Sequence, residues 1–498
     1  MTDTGPMYPV APPVEGRDWL STTPVDWADL RGQVVIVLFW SSGCEASLLA
    51  VRRMEDLADR WPSTVTVLAV HTPRFPYEDD RRVVESAIAR HRITLPVVHD
   101  PDYITWNRYN PGAWPAVAIV DRKGRVIGIN AGTSESDLIA EVVATELAKP
   151  NSGRRSSSDG DRARNKTRAT DGSNLAGSSP AGSNTGDVLD VDADRTLDVE
   201  DSTLLFPSGV ATTPSGLVVI ADSGHDRLLI GELDSDLRTV RPEIELTDID
   251  NPTAVACASD SVIYVVEGGT GSVLQVDLDN GTLDILADEE LAVPTALLVD
   301  GDRSLVVADA GNDQLVRIAG GSDDDLVVGP IAGCGLSGTR DGNAGQAELA
   351  QPTGLARTSS GIAFCDAASS NVRLLTDNGR VLTITGNDFF DWGLVDGPAH
   401  RARLQRPTGL CVTADGSLLI ADTGNNRIRI LENRRVRTLG LTGLNQPTSL
   451  AMTSTGHVLI ADTGNHRLVV ADPAMRTAWP LAVYPAAMTS VWDPANQG

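Results

Sequence analysis

The chain is poor in aromatic residues, in positive charge and in paired cysteines, and each shortage narrows what it can be. Phe, Tyr and Trp make up 4% of its 498 residues, so a cluster of them is conspicuous. Lys and Arg number 41 against 67 Asp and Glu, a formal net charge of −26. Nucleic-acid backbones are bound by releasing counterions to Lys and Arg, so this balance argues against nucleic acid as a partner. No apolar run reaches the ~18 residues of a membrane-spanning helix, and no membrane association is expected. Residues 1–27 show no basic-then-apolar leader, so no secretory signal is read there. The five cysteines (Cys44, Cys257, Cys334, Cys365 and Cys411) form no CxxC pair and no zinc spacing. Reduced thiols in a cytoplasmic protein are the expectation. GxSxG and HExxH motifs are absent, and Ile331–Gly338 lacks the Gly-Lys-Ser/Thr ending of a phosphate loop. No cofactor and no metal is called for.

What the chain does have is repetition. Six times between Pro207 and Leu468 it runs through a proline, a small apolar run, a turn, an apolar strand, an acidic residue and a tight turn. The acid recurs at Asp222, Glu267, Asp309, Asp366, Asp422 and Asp462, at spacings of 40 to 57 residues. Such a period, holding several short strands, predicts a β-propeller, here with six blades over 187–484 and a C-terminal tail over 485–498. Acids converging on one axis would suit a cation, but six of them would repel strongly in low dielectric. Each is instead expected to cap its own turn through backbone N–H groups. Arg227, Arg427 and Arg467, five residues beyond their acids, should lie across a blade, and Asn312, Asn425 and Asn465 suit turn positions with φ > 0. Two glycine-rich inserts, 333–354 and 386–409, share a Gly…Asp-Gly…Leu…Pro-Thr-Gly frame and are expected as long loops on one propeller face. The aromatic cluster Phe389, Phe390 and Trp392 in the second insert is the candidate partner-binding site.

Residues 149–186 are Ser, Gly, Asn, Asp and Arg with almost no apolar side chain, a linker expected to be disordered. Ahead of it, 1–148 alternates strands and helices. A continuous apolar run over 34–39 suits a strand buried on both faces. A helix over 44–60, a strand over 65–70, a helix over 80–91, a hairpin around 121–124 and a helix from Ser134 follow. The order βαβα then ββα is that of a thioredoxin-like sheet. The fold class expected is therefore an α/β thioredoxin-like domain followed by an all-β propeller.

Several motifs carry a resemblance: Trp19-Leu20-Ser21-Thr22, Leu30-Arg31-Gly32, Phe39-Trp40, Val70-His71, Phe75-Pro76 and Trp114-Pro115, with the repeats and the two inserts. Through them the chain resembles the NHL repeat-containing protein 2 family, a thioredoxin-like domain joined to an NHL-repeat propeller, over nearly the full length outside the linker. The resemblance implies that Gly43-Cys44-Glu45-Ala46-Ser47 is the segment where thioredoxin-like oxidoreductases carry CxxC. Here the second position is Ser47. A hydroxyl cannot close a disulfide, so ordinary dithiol exchange is excluded. The helix N-terminus favours a thiolate at Cys44, while Glu45 opposes it. Pro115 falls at the family's cis-proline position facing that cysteine, and His71, ending the second strand, is a candidate base for the thiol.

Two functions fit these residues. One is a cytoplasmic interaction protein whose propeller face binds a protein partner, with Cys44 as a redox-responsive monothiol. The other is a monothiol oxidoreductase or peroxide-reducing enzyme in which Cys44 works with an external resolving thiol. Cys44, Ser47, Pro115 and His71 are the candidate catalytic residues in both.

Overall fold

The protein is described here by a computed structural model covering residues 9–21, 24–131, 136–149, 189–190, 204–247, 249–301, 304–320, 326–386, 391–472, 474, 476–485 and 491–492. The expected linker beyond Lys149, Ser134, Phe389 and Phe390 lie outside the described residues; past the linker, Leu189–Asp190 pair alongside Leu441–Thr442.

The N-terminal domain is built on one mixed sheet. Its strands are β1 (Asp18–Trp19), β2 (Val34–Trp40), β3 (Val65–His71), β4 (Val97–His99), β5 (Ala116–Val120) and β6 (Val126–Ala131), in the order β1-β4-β3-β2-β5-β6. Strand β2 is central and every one of its seven residues is buried, as its unbroken apolar run demands. Helix α1 (Glu45–Arg60) packs Leu48, Val51, Met54 and Leu57 onto the side of the sheet that carries Ile36 and Leu38. Each such side chain contributes about 1.5–3 kcal/mol by its removal from water. Helix α2 (Arg81–Arg90) adds Val84 to the same core, and Asp80 caps it by accepting from the Arg82 N–H. Strand β4 and helix α3 (Ile104–Tyr109) escape the sequence reading because both are too short to show a period. Asp100 holds that junction by accepting from the N–H groups of Ile104 and Trp106.

The six-bladed propeller is present as expected. Its innermost strands are Pro207–Thr212, Pro252–Cys257, Pro294–Val299, Pro352–Thr358, Gly409–Val412 and Pro447–Met452, each opening an antiparallel blade. The sixth blade closes on the first, where Ala478–Val483 runs parallel to Thr239–Leu246. Val491–Trp492, in the stretch read as a tail, also pairs alongside Glu245–Leu246.

The recurring acids do hold turns, but not in the way expected. Asp222, Asp309, Asp366, Asp422 and Asp462 accept from backbone N–H groups of the segment that leads into their own blade: Leu205, Ala292, Ala350, Gln405 and Asn445. The second carboxylate oxygen faces the turn's side chains, as in Asn425 Nδ2 to Asp422 at 2.8 Å and Asn465 Nδ2 to Asp462 at 2.8 Å. Those asparagines are therefore donors to the acid. The left-handed position is the next residue, at Asp226, Asp313, Ser370, Asn426 and His466. These side chains tie neighbouring blades together. Each accepts from the N–H just before the next blade's proline: Asn251, Gln351, Arg406, Gln446 and, closing the ring, Phe206.

Arg227, Arg427 and Arg467 lie across the blade from Asp222, Asp422 and Asp462, as predicted, and Arg227 and Arg467 also bond their acids at 2.8 Å. Arg427 does not; Arg429, two residues on, bonds Asp422 at 2.6 Å, and Arg373 bonds Asp366 at 2.9 Å. Both arginines are fully buried, and each also bonds an insert acid, Asp396 at 2.7 Å and Asp341 at 2.9 Å. This pairing explains the shared Asp-Gly of the inserts. The inserts are accordingly not free face loops: Gly342–Asn343 and Gly397–Pro398 add a short fifth strand to the outer edges of blades four and five.

A candidate thiol site under the propeller

Strands β2 and β3 are parallel and in register, so Trp40 and His71 end side by side at one sheet edge, with His99 of β4 next in line. The chain leaves β2 through Ser41-Ser42-Gly43 and enters α1 at Cys44, which occupies the N-cap position. Its carbonyl takes the first helical N–H groups, from Ser47 at 2.9 Å and Leu48 at 3.1 Å. Ser47 is buried one turn along α1, with no hydrogen-bond partner for its hydroxyl among the described residues. Pro115 follows a cis peptide bond from Trp114, whose carbonyl oxygen lies 4.0 Å from Cys44 Sγ. Three of the four candidate residues thus meet at one helix start.

His71 is turned to other work. Its Nε2 lies 3.2 Å from the Ser42 nitrogen and 3.6 Å from Glu78 Oε1. Glu78 is the residue the sequence reading missed, and it organises the whole loop. Its fully buried carboxylate accepts from the hydroxyls of Ser41 and Ser42 at 2.8 Å, the Gly43 N–H at 2.7 Å, and the N–H groups of Arg74 and Phe75 at 2.8 Å. Burial works against its charge, but bonding and charge from His71, with the Phe75 N–H and Ser42 hydroxyl, hold its carboxyl at about 2. A proline at the first position of the 3-10 turn Pro76–Asp79 and an acid at the third is a capping signature that could have flagged it.

The propeller completes the site. Gln351 and Arg406 immediately precede Pro352 and Pro407, and both have left-handed backbones (φ 55° and 46°). Gln351 Oε1 accepts from the Glu45 N–H at 3.1 Å, and its Nε2 donates to Cys44 Sγ at 3.3 Å. Arg406 donates to the Gly43 carbonyl at 2.9 Å and pairs with the Glu45 carboxylate. The charge of Glu45 is therefore met by a cation from the second domain. Cys44 is left fully buried. Gly43 is there because nothing larger fits: a Cβ would stand 2.4 Å from the Tyr77 hydroxyl and 3.2 Å from Arg406 Cδ.

Around this centre the thioredoxin-like domain presents cations to acids and carbonyls of the propeller. Arg92 pairs with Asp226 at 2.5 Å, and Arg74 donates to the Ala368 carbonyl at 3.1 Å. Trp392 stands edge-on to Phe75 with ring centres 5.8 Å apart, so this member of the aromatic cluster is engaged within the chain.

Asp313, which holds the Gln351 N–H at 2.7 Å, is pushed up to about 7 by burial first and then by the charge of Asp366. A carboxyl raised in this way stabilises the fold below its ordinary value and loses that contribution as pH rises through about 7. Asp313→Asn is expected to unfold at a higher temperature than wild type near about pH 8, with the gain shrinking as pH falls and vanishing below the ordinary carboxyl value of 3.8.

Comparison with known proteins agrees with this two-part architecture. The model of the AhpC/TSA family matches residues 10–129, and that of the NHL repeat matches 404–431 and 444–471. Protein SUPPRESSOR OF QUENCHING 1, chloroplastic, from Arabidopsis thaliana is 26% identical over 86% of this chain and 42% of its own length. NHL repeat-containing protein 2 from Bos taurus is 25% identical over 86% of the chain and 63% of its own length. The thiol-disulfide oxidoreductase YkuV of Bacillus subtilis (strain 168) is 26% identical over 23% of the chain and 77% of its own. The chain thus spans less than two thirds of the two long relatives. It is a thioredoxin-like protein with NHL repeats, homologous to NHL repeat-containing protein 2 along most of its length.

Proposed function

We propose that the chain is a protein-interaction module in which the propeller recognises a protein partner and also covers a single redox-responsive thiol. The observation that carries this reading is the cover on Cys44: a lone, fully buried thiol at a helix start, bonded by Gln351 from the other domain. Ser47 offers no second sulfur, so the chemistry open to Cys44 is one half of an exchange. When the domains part, the Cys44 thiolate attacks a disulfide of the partner. The partner's S–S bond breaks, one of its sulfurs leaves as a thiolate, and a mixed disulfide with Cys44 remains. A second thiol of the partner then attacks that bond and returns Cys44 as a thiolate. The five cysteines are all free, which supports a reducing, cytoplasmic setting.

The oxidoreductase relative in Bacillus subtilis favours a second reading, in which the same exchange is catalytic and a small thiol resolves it. One experiment tests both. Cells carrying the full chain are treated with diamide, free thiols are blocked with N-ethylmaleimide, and adducts are separated without reductant. A protein adduct is expected with wild type and with Ser47→Ala, and none with Cys44→Ser. An adduct with a small thiol alone would favour the enzyme. An adduct that survives Cys44→Ser, or an internal disulfide through Cys44 that reduces a protein disulfide without helper thiols, would overturn both.

A further inference from the structure

Between α1, α2 and the mouth of the propeller lies a cavity of about 290 Å3, at the lower end of the range of small-molecule sites. Cys44 is not among the residues that line it. Helix α1 lends Leu49 and Arg52 to its lining, helix α2 Val83 and Arg90, and the propeller Asn251 and Thr253. The polar groups here are incompletely satisfied. Arg90 donates one bond, to the Ser208 hydroxyl at 3.0 Å, and its buried Nε has no partner among the described residues. Asn251 is only 6% exposed, yet its Oδ1 is unpartnered, as is the hydroxyl of Thr253. Buried polar atoms without partners are costly, and three around one cavity point to a missing molecule.

The charge of that molecule follows from its neighbours. Among the described residues Arg52 bonds the carbonyls of Gly268 and Gly269, and the carboxylates of Asp250, Glu45 and Glu55 offset its charge, which leaves Arg90, with one neutral partner, as the cation that lacks a bonded acid. Glu45 is taken by Arg406, and Asp56 sits at the exposed rim. Burial first, then the positive charges of Arg90, Arg52 and Arg406, keep the neighbouring His91 well below its ordinary value. The cavity is therefore lined by arginine and apolar side chains together, and offers an acceptor at Asn251 Oδ1 that needs a donor.

We propose that this cavity binds a small organic anion whose carboxylate or phosphate head meets Arg90 and the Thr253 hydroxyl, and whose own hydroxyl or amino group donates to Asn251. The site is independent of any chemistry at Cys44, so its test reads binding and not thiol exchange. Calorimetry on the full chain uses mandelate for the carboxylate arm, glycerol 3-phosphate for the phosphate arm, and neutral mandelamide as the uncharged counterpart. At least one anion is expected to bind one-to-one, and mandelamide at least roughly tenfold more weakly, a gap of about 1.4 kcal/mol. Arg90→Gln should weaken the anion by a similar roughly tenfold factor. Asn251→Asp, which keeps the shape but adds a negative charge, should abolish anion binding, while Cys44→Ser should leave it unchanged. The proposal is overturned if neither anion binds, if mandelamide binds as tightly, or if Arg90→Gln and Asn251→Asp both bind like wild type.

Discussion

Replacing Glu78 with alanine is expected to cost the thioredoxin-like domain about 3–5 kcal/mol, the loss typical of breaking a buried, fully bonded charge site. The reason is the number of donors left behind. The N–H groups of Gly43, Arg74 and Phe75 and the hydroxyls of Ser41 and Ser42 all end on this carboxylate, in a place that water does not reach. Each stranded donor carries a penalty of about 1–3 kcal/mol, reduced where the loop can relax. Glu78→Gln keeps an acceptor and should lose clearly less. The same hub sets an acid limit. Its folded carboxyl titrates below the ordinary value of 4.5, so its contribution is present above that value and is lost as pH falls toward about 2. Unfolding in urea, followed by near-ultraviolet circular dichroism, would check this. A Glu78→Ala domain as stable as wild type would remove Glu78 from its assigned role.

Much of the fold was legible because periodic features are. The apolar run of β2, the helical spacing of α1 and the blade repeats are patterns that a chain can hardly carry by accident. Cys44, Ser47 and Pro115 were legible through the family resemblance carried by Gly43–Ser47 and Trp114-Pro115. What escaped detection depends on contacts between residues far apart. Gln351 and Arg406 look like ordinary residues ahead of a proline, and only the closed propeller shows that they project onto the other domain. Arg429 escaped because two residues along a strand return to the same face, so the spacing from the acid does not say which arginine reaches it. The inserts read as loops because glycine-rich segments usually are; a single acid pairing with a buried arginine turned each into an edge strand.

The central claim is that the propeller shields Cys44, and charge reversal at Arg406 should break the shield. In wild type, Arg406 meets Glu45 and the Gly43 carbonyl, and Gln351 bonds the sulfur. Arg406→Glu sets two carboxylates against each other at the same spot, a juxtaposition that costs several kcal/mol. Even a fraction of that, about 1.4–2.8 kcal/mol spent on opening, raises the exposed population roughly ten- to a hundredfold. Cys334, half-buried on the first insert, provides an internal reference for thiol reactivity. The decisive measurement is the rate of Cys44 modification by iodoacetamide in the intact chain, resolved by site with mass spectrometry. Slow modification of Cys44 relative to Cys334 in wild type, accelerated roughly ten- to a hundredfold by Arg406→Glu with Cys334 unchanged, is the predicted result. Cys44 reacting in the native chain as fast as in the urea-unfolded chain, or at the same rate with and without Arg406, would contradict it.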